Sequence, residues 1–326
     1  MSLTVGNMVL NPPVFLAPMA GITDLPFRQL VAGFGAGLVV SEMVASQEMV
    51  QAKPGVRERA ELGFGVENTA VQLAARDVYW ASEAARMVEA NGARMIDINM
   101  GCPARKVVGG LSGSALMRDP DHALALIQAI VGAVKIPVTL KTRLGWDDNS
   151  LNAPDLARRA QDAGIQLVTI HGRTRCQFYK GQADWAAIRA VRDAVTIPLI
   201  ANGDIISPQT ARTAMQRSGA QGVMVGRGAG GQPWLLAQIA SDVFGTPAPA
   251  IPKGQALVDL VAGHYEASLG FYGQHLGARV IRKHLGWYMD HAQTPPDLRR
   301  EVLSGRDPAG VIALLPRALG VERQAA

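Results

Sequence analysis

Eight short apolar runs recur along this chain, and they constrain its fold more than any other feature. They are Val14–Pro18, Gly37–Met43, Thr69–Ala74, Met95–Gly101, Pro137–Arg143, Leu167–Arg173, Pro198–Asp204 and Gly222–Gly228. Continuous apolar runs, as opposed to strict apolar–polar alternation, suit parallel strands buried on both faces. Between them lie segments of helical periodicity: Val78–Asn91, stopped by Gly92, then Pro120–Val134, Ala153–Ala163, Trp185–Val195 and Pro208–Ser218. Strand then helix, eight times over, reads as an α/β protein of the (β/α)8 TIM-barrel class. An open, doubly wound sheet built from eight such units would be unusually long.

A barrel needs about 250 residues, and the chain has 326. The surplus predicts one appended domain. The stretch Gly245–Gly254, GTPAPAIPKG, carries three prolines and two glycines and cannot propagate a helix. Beyond it Gln255–Gly270, Gly277–Ala292 and Pro308–Ala318 have helical periodicity. The expected organisation is a catalytic barrel over 1–244, a linker over 245–254 and a small all-α domain over 255–326.

Composition narrows the class further. With 48% apolar residues the chain has ample material for a core. No stretch approaches the roughly 18 unbroken apolar residues of a membrane span, and the opening MSLTVGNMVLNPP lacks a basic leader or an apolar signal core. A soluble cytoplasmic protein is expected. Cys102 and Cys176, the only two cysteines, belong to no ligand-spaced cluster, so neither a metal site nor a disulfide is expected. Net charge is +5, which permits a polyanionic partner without requiring one. Beyond Phe244 there are nine Lys and Arg against seven Asp and Glu, so charge totals alone do not mark the helical part as an RNA binder.

Barrel enzymes place their sites where strands end, and here those ends carry polar residues: Glu42, Gln72, Asn99, Lys141, Arg143, His171, Arg173, Asn202, Asp204 and Arg227. The seventh and eighth ends, IANGD over 200–204 and VGRGA over 225–229, put glycines where strands turn into helices. Glycine amides and a helix start at those two loops form a phosphate site in many barrels, and Arg227 adds charge-assisted hydrogen bonds. Gly226, Gly228 and Gly231 also match G-x-G-x-x-G, but no further strand follows to complete a dinucleotide-binding unit. Cys102 sits in the Gly-rich loop Asn99-Met100-Gly101-Cys102-Pro103. A thiol there serves as a general acid, or as a nucleophile if Arg105 or Lys106 depresses its pKa. His171 is either a core histidine or a phosphate or ring contact. A buried lysine at 141 is costly without an anionic or electron-rich ligand. Three cation clusters remain: Arg105 with Lys106; Arg173 with Arg175 and Lys180; and Arg279, Arg282 and Lys283, at a spacing that puts all three on one helix face. Each reads as a solvated face or as a polyanion grip.

Several blocks together resemble the tRNA-dihydrouridine synthases, and the bacterial B-type subgroup most of all. They are FLAPMAGITDLPFR over 15–28, IDINMGCPARKVVGGLSGS over 96–114, then Leu140–Gly145, IHGRT over 170–174, Ile200–Asp204 and Val225–Gly228. The resemblance covers nearly the whole chain. It implies FMN at the top of the barrel. Pro18, Met19 and Ala20 would pack by the isoalloxazine, and Gln72 and Lys141 would hydrogen-bond its ring. His171, Asn202, Gly203, Asp204, Gly226 and Arg227 would hold the ribityl phosphate end. It further implies NADPH as reductant, Cys102 as the general acid, Asn99 and Arg143 orienting the base, and tRNA as substrate. The basic loops (Arg105, Lys106, Arg173, Arg175) and the helical trio (Arg279, Arg282, Lys283) would grip the RNA backbone. The rival readings are an FMN oxidoreductase of a small pyrimidine and a non-enzymatic RNA binder on a retired barrel.

Overall fold

The structure is a computed structural model and describes residues 2–63 and 68–321. Eight parallel strands close into a barrel: β1 (Val14–Leu16), β2 (Leu38–Val40), β3 (Thr69–Ala74), β4 (Ile96–Met100), β5 (Val138–Arg143), β6 (Val168–His171), β7 (Leu199–Asn202) and β8 (Gly222–Val225). Each pairs with the next, and β8 pairs with β1 at Met224↔Phe15 to close the ring. All eight lie inside the expected runs. Burial on both faces is why they read as continuous apolar segments: every residue of β3 is buried.

Local chemistry sets the helix ends. Helix Pro208–Ser218 opens with Ser207 and Thr210 in a reciprocal capping box, has Pro208 in its first turn, and stops at Gly219 in the left-handed conformation. Asp77 caps Val78–Ala90 and Asp119 caps Pro120–Ala133 by accepting from backbone N–H groups one turn on. The helix expected over Trp185–Val195 forms only from Arg189 to Ala194. The indole of Trp185 is instead committed to the site, donating to the Gly203 carbonyl at 2.8 Å.

The N-terminal hairpin falls outside the expectations. Leu3–Val5 and Met8–Leu10 form an antiparallel hairpin, with Leu3, Val5, Met8 and Leu10 buried and the residues between them exposed. Those four side chains join Phe15, Leu38, Ala70, Met95, Leu167, Ile200 and Met224 in one apolar cluster. The hairpin therefore plugs the N-terminal end of the barrel and leaves only the opposite mouth open.

From Gly245 to Lys253 the chain carries neither helix nor strand. The helices Gln255–Tyr272, Gln274–Val280, Arg282–His291, Pro296–Ser304 and Pro308–Ala318 follow, around an apolar cluster of their own that includes Tyr265, Leu285, Tyr288 and Leu315. The single helix expected over Gly277–Ala292 is two, joined at the buried Ile281. Close crossing is the reason: a Cβ on Gly277 would lie 2.4 Å from the Ser268 carbonyl, so this turn is pinned to the preceding helix while the next turns towards the barrel. The helix Pro296–Ser304 lies outside the sequence expectations, and residues 322–326 of the expected all-α part lie outside the described residues. These helices dock beside the mouth through Phe27, His264 and His284, whose rings lie 4.5–5.7 Å apart.

Candidate active site

Side chains alternate along a strand, so the inward set can be followed from the plugged floor to the mouth. Phe15, Leu38, Ala70, Met95, Leu167, Ile200 and Met224 are its apolar floor. Continuing in steps of two gives Met19, Glu42, Gln72, Asp97, Asn99, Thr139, Lys141, Arg143, His171, Asn202, Asp204 and Gly226. Ladder register lays them side by side: Asn99 opposite Lys141, Arg143 opposite His171, and His171 opposite Asn202.

Lys141 Nζ donates to Asn202 Oδ1 at 3.0 Å, and Asn202 Nδ2 donates to the Met224 carbonyl at 2.8 Å. Burial, aided by the Arg143 charge, lowers Lys141 to about 8 against the opposing pull of Asp97. His171 is held well below its ordinary value by burial and then by Lys141, Arg143, Arg173 and Arg227. It is thus a neutral ring among four cations. Arg173 Nη1 lies 3.3 Å from His171 Nε2, which makes that nitrogen the acceptor and leaves the ring proton on Nδ1.

The two glycine loops close the same side of the mouth. Gly203 has φ +111, and a Cβ there would fall 2.9 Å from the His171 ring, so only glycine fits this turn. A Cβ on Gly226 would sit 3.6 Å from Met19 Sδ, which places the Pro18–Ala20 loop directly beside Gly226. The N–H groups of Gly203, Asp204 and Gly226 find no acceptor among the described residues, and Arg227, with its side chain 62% exposed, extends over them. Burial raises the Asp204 carboxyl, but hydrogen bonds and charge from Arg173 outweigh it and hold it below the usual carboxylate range. Its role in the loop is to anchor Arg173 and Arg227.

Cys102 stands across the mouth, half-buried. Its N–H donates to Asn99 Oδ1 at 3.0 Å, and its carbonyl accepts from Ser114 Oγ at 2.8 Å. Gly113, at φ +58, brings the chain back so close that a Cβ would meet the Cys102 carbonyl at 2.9 Å. The loop is clamped from both sides, and the thiol itself makes no hydrogen bond among the described residues.

The sequence-predicted RNA contacts divide. Arg105, Lys106, Arg279 and Lys283 are exposed and have no carboxylate partner among the described residues. Lys283 projects to 3.5 Å from the position of a Cβ on Gly21, at the barrel rim. Arg282 turns away towards the Gly305 carbonyl at 3.5 Å, so the trio does not present one shared face. Arg175 stacks over Trp146 and Phe178, each at 4.7 Å, with Arg118 on the indole at 4.1 Å. Arg173, expected on the RNA backbone, and Arg143, expected to orient the base, are each only 1% exposed. Arg173 forms a fork to Asp204 and donates to the carbonyls of Lys180 and Gly181, while Arg143 donates to the carbonyls of Gly101, Thr174 and Phe178. Both hold mouth loops in place. Sequence reasoning missed Asp97, Trp146 and Tyr179. Tyr179 is exposed at the rim with guanidinium groups of Arg143 and Arg227 at 5.4 and 5.2 Å.

This basic, glycine-lined mouth opposite a clamped cysteine has known relatives. Over residues 15–321 the sequence matches the dihydrouridine synthase (Dus) family. The chain belongs to that family. It is 59% identical over the full length of both chains to the probable tRNA-dihydrouridine synthase of Rhodobacter capsulatus. The probable tRNA-dihydrouridine synthase of Rhizobium leguminosarum is 53% identical, across 94% of this chain and 95% of that one. The tRNA-dihydrouridine synthase B of Vibrio cholerae is 44% identical, across 91% and 92%. In fold the chain is similar to histamine dehydrogenase from Rhizobium sp. 4-9, with TM-score 0.58 at 13% identity; the match takes in 98% of this chain and 64% of that one.

Proposed function

We propose that this chain reduces a uridine of tRNA to dihydrouridine, with FMN in the barrel mouth and NADPH as reductant. The observation that carries the reading is the pairing of two unlike walls. One wall offers free backbone N–H groups from Gly203, Asp204 and Gly226 with Arg227 and neutral His171 beside them, a donor set suited to a phosphomonoester. The other offers the half-buried thiol of Cys102. Between them Lys141 and Gln72 would hydrogen-bond an electron-rich ring, and Pro18, Met19 and Ala20 would pack alongside it.

When bound and reduced, the flavin supplies hydride to C6 of the uracil. The protein supplies the rest. Cys102 gives its proton to C5. Asn99 spends its oxygen on the Cys102 loop but keeps one amide N–H for the base. Arg143 and Arg173 fix the loops that shape the pocket. A uridine in a folded RNA must be splayed out to reach this depth. We assign the barrel, 1–244, to catalysis and the helical part, 255–326, to holding the RNA beside the mouth. Rim cations support this: Arg105, Lys106, Arg118, Arg175, Arg279 and Lys283 lack carboxylate partners among the described residues, whereas Arg158, Arg159, Arg189 and Arg212 on the outer helices are paired. Among the described residues no helix is long and apolar enough to cross a membrane, and no group of three or more metal-ligating side chains converges.

The test is a half-reaction. Purified protein is expected to be yellow and to release FMN on heating. After anaerobic reduction with NADPH, unmodified tRNA is expected to bring back the oxidised flavin spectrum while free uridine and uracil do not. Reoxidation by the free pyrimidine would favour the small-molecule reading, and a protein that cannot be loaded with FMN would overturn the assignment.

A further inference from the structure

We propose that Asp97 is a positioning residue that sets the Cys102 loop through a relay of two side-chain amides. The proposal rests on the reading of Cys102 as the proton donor. Asp97 is the second residue of β4 and is 2% exposed. One of its oxygens accepts from Thr139 Oγ1 at 2.6 Å, the other from Gln72 Nε2 at 2.7 Å. Gln72, directly opposite in the β3–β4 ladder and fully buried, accepts in turn from Asn99 Nδ2 at 2.7 Å. Asn99 Oδ1 then accepts from the N–H groups of Gly101 at 3.1 Å and Cys102 at 3.0 Å.

The polarity of this chain is fixed at both ends. A carboxylate only accepts, so Gln72 must turn its amine to Asp97 and its oxygen to Asn99. Backbone N–H groups only donate, so Asn99 must turn its oxygen to Gly101 and Cys102 and its amine to Gln72. Both ends demand the same orientation of both amides. Reversing either puts donor against donor in a buried site, which is costly. An apolar side chain at position 97 would leave the Gln72 amide without direction, and with it the loop that carries the thiol. Burial raises the Asp97 carboxyl above its ordinary value, opposed by the hydrogen bonds from Thr139 and Gln72 and then by the Lys141 charge.

The test exploits polarity. In the FMN-loaded enzyme Asn99→Asp is expected to break the relay. Asp97→Asn, by contrast, can keep its oxygen on Gln72 and turn its amine to the Thr139 hydroxyl, which is free to donate to the Ile96 carbonyl instead. Deuterium exchange of the peptide holding Gly101 and Cys102 is expected to speed up about tenfold in Asn99→Asp, and tRNA turnover to fall about 10- to 100-fold. The double variant Asp97→Asn, Asn99→Asp reverses both links of Gln72 and keeps the others. The carboxylate then standing at position 99 accepts from both backbone N–H groups and from Gln72, whose oxygen accepts from the amine at position 97. Slow exchange is expected to return in the double variant, a rescue that loss of packing at either position does not predict. Exchange in the double variant as fast as in Asn99→Asp, or faster, would overturn the relay. Should Asp97→Asn fail to fold, the comparison of Asn99→Asp with the double variant reads the same point. Exchange judges the relay, while turnover by Cys102→Ala judges the acid, so the two can fail separately.

Discussion

Cys102→Ala is expected to bind FMN, accept hydride from NADPH at the normal rate and reduce tRNA about 10²- to 10⁴-fold more slowly, the range for loss of a general acid. The structure makes this a clean deletion. The loop is held by main-chain bonds, from the Cys102 N–H to Asn99 and to the Cys102 carbonyl from both Ser114 Oγ and the Ser114 N–H. None of them uses sulfur. Alanine therefore removes the proton donor and leaves the loop where it was. Stopped-flow flavin reduction and steady-state tRNA turnover, run on the same preparation, check both halves. Near-normal turnover would mean that another group protonates C5. Cys176 is exposed, and Cys176→Ala is expected to behave as wild type.

The second large effect concerns pH and the docking of the C-terminal helices. His284 is 1% exposed. Its Nε2 lies 3.2 Å from the Ile22 carbonyl and its Nδ1 has no partner among the described residues. Burial lowers its pKa from 6.5 to about 4. As pH falls through 6.5 the unfolded chain takes up this proton before the folded one does. The contribution of His284 is thus full above about 6.5 and is lost on the way down to about 4, at about 1.4 kcal/mol per pH unit and about 3 kcal/mol in total. His264 acts in the same direction. Asp24, raised by burial to about 6, acts in the opposite one, because its folded-state penalty is relieved by acid. A difference measurement isolates the histidine. The stability gap between wild type and His284→Leu is expected to shift by about 3 kcal/mol against wild type from pH 7 to pH 4. Denaturation curves that stay parallel over that range would show that His284 does not titrate in the unfolded chain alone.

The barrel was legible because its strands are buried on both faces and so read as eight uninterrupted apolar runs. Helix starts were legible where Pro208 or Pro120 stands at the first turn. The hairpin at Leu3–Leu10 was not, since two three-residue strands give too short an alternation to stand out, although Leu3, Val5, Met8 and Leu10 do carry it. The kink at Ile281 depends on the closeness of Gly277 to Ser268, a tertiary fact that helical periodicity does not contain. In the site, residue types at strand ends were readable, but their partners were not. Arg173 reads as a free cation until Asp204, 31 residues on, is found beside it. Asp97 reads as one more strand residue until the ladder sets Gln72 opposite it. Trp146 and Arg175 meet only because the loops after β5 and β6 are neighbours.

The central claim is that tRNA itself is reduced in this barrel. Unmodified tRNA transcript incubated with the FMN-loaded protein and NADPH, then digested and read by mass spectrometry, tests it most directly. The account predicts one D-loop fragment heavier by two hydrogens, formed by wild type and formed far more slowly by Cys102→Ala. A tRNA that stays unchanged while the enzyme oxidises NADPH against a free pyrimidine would contradict it.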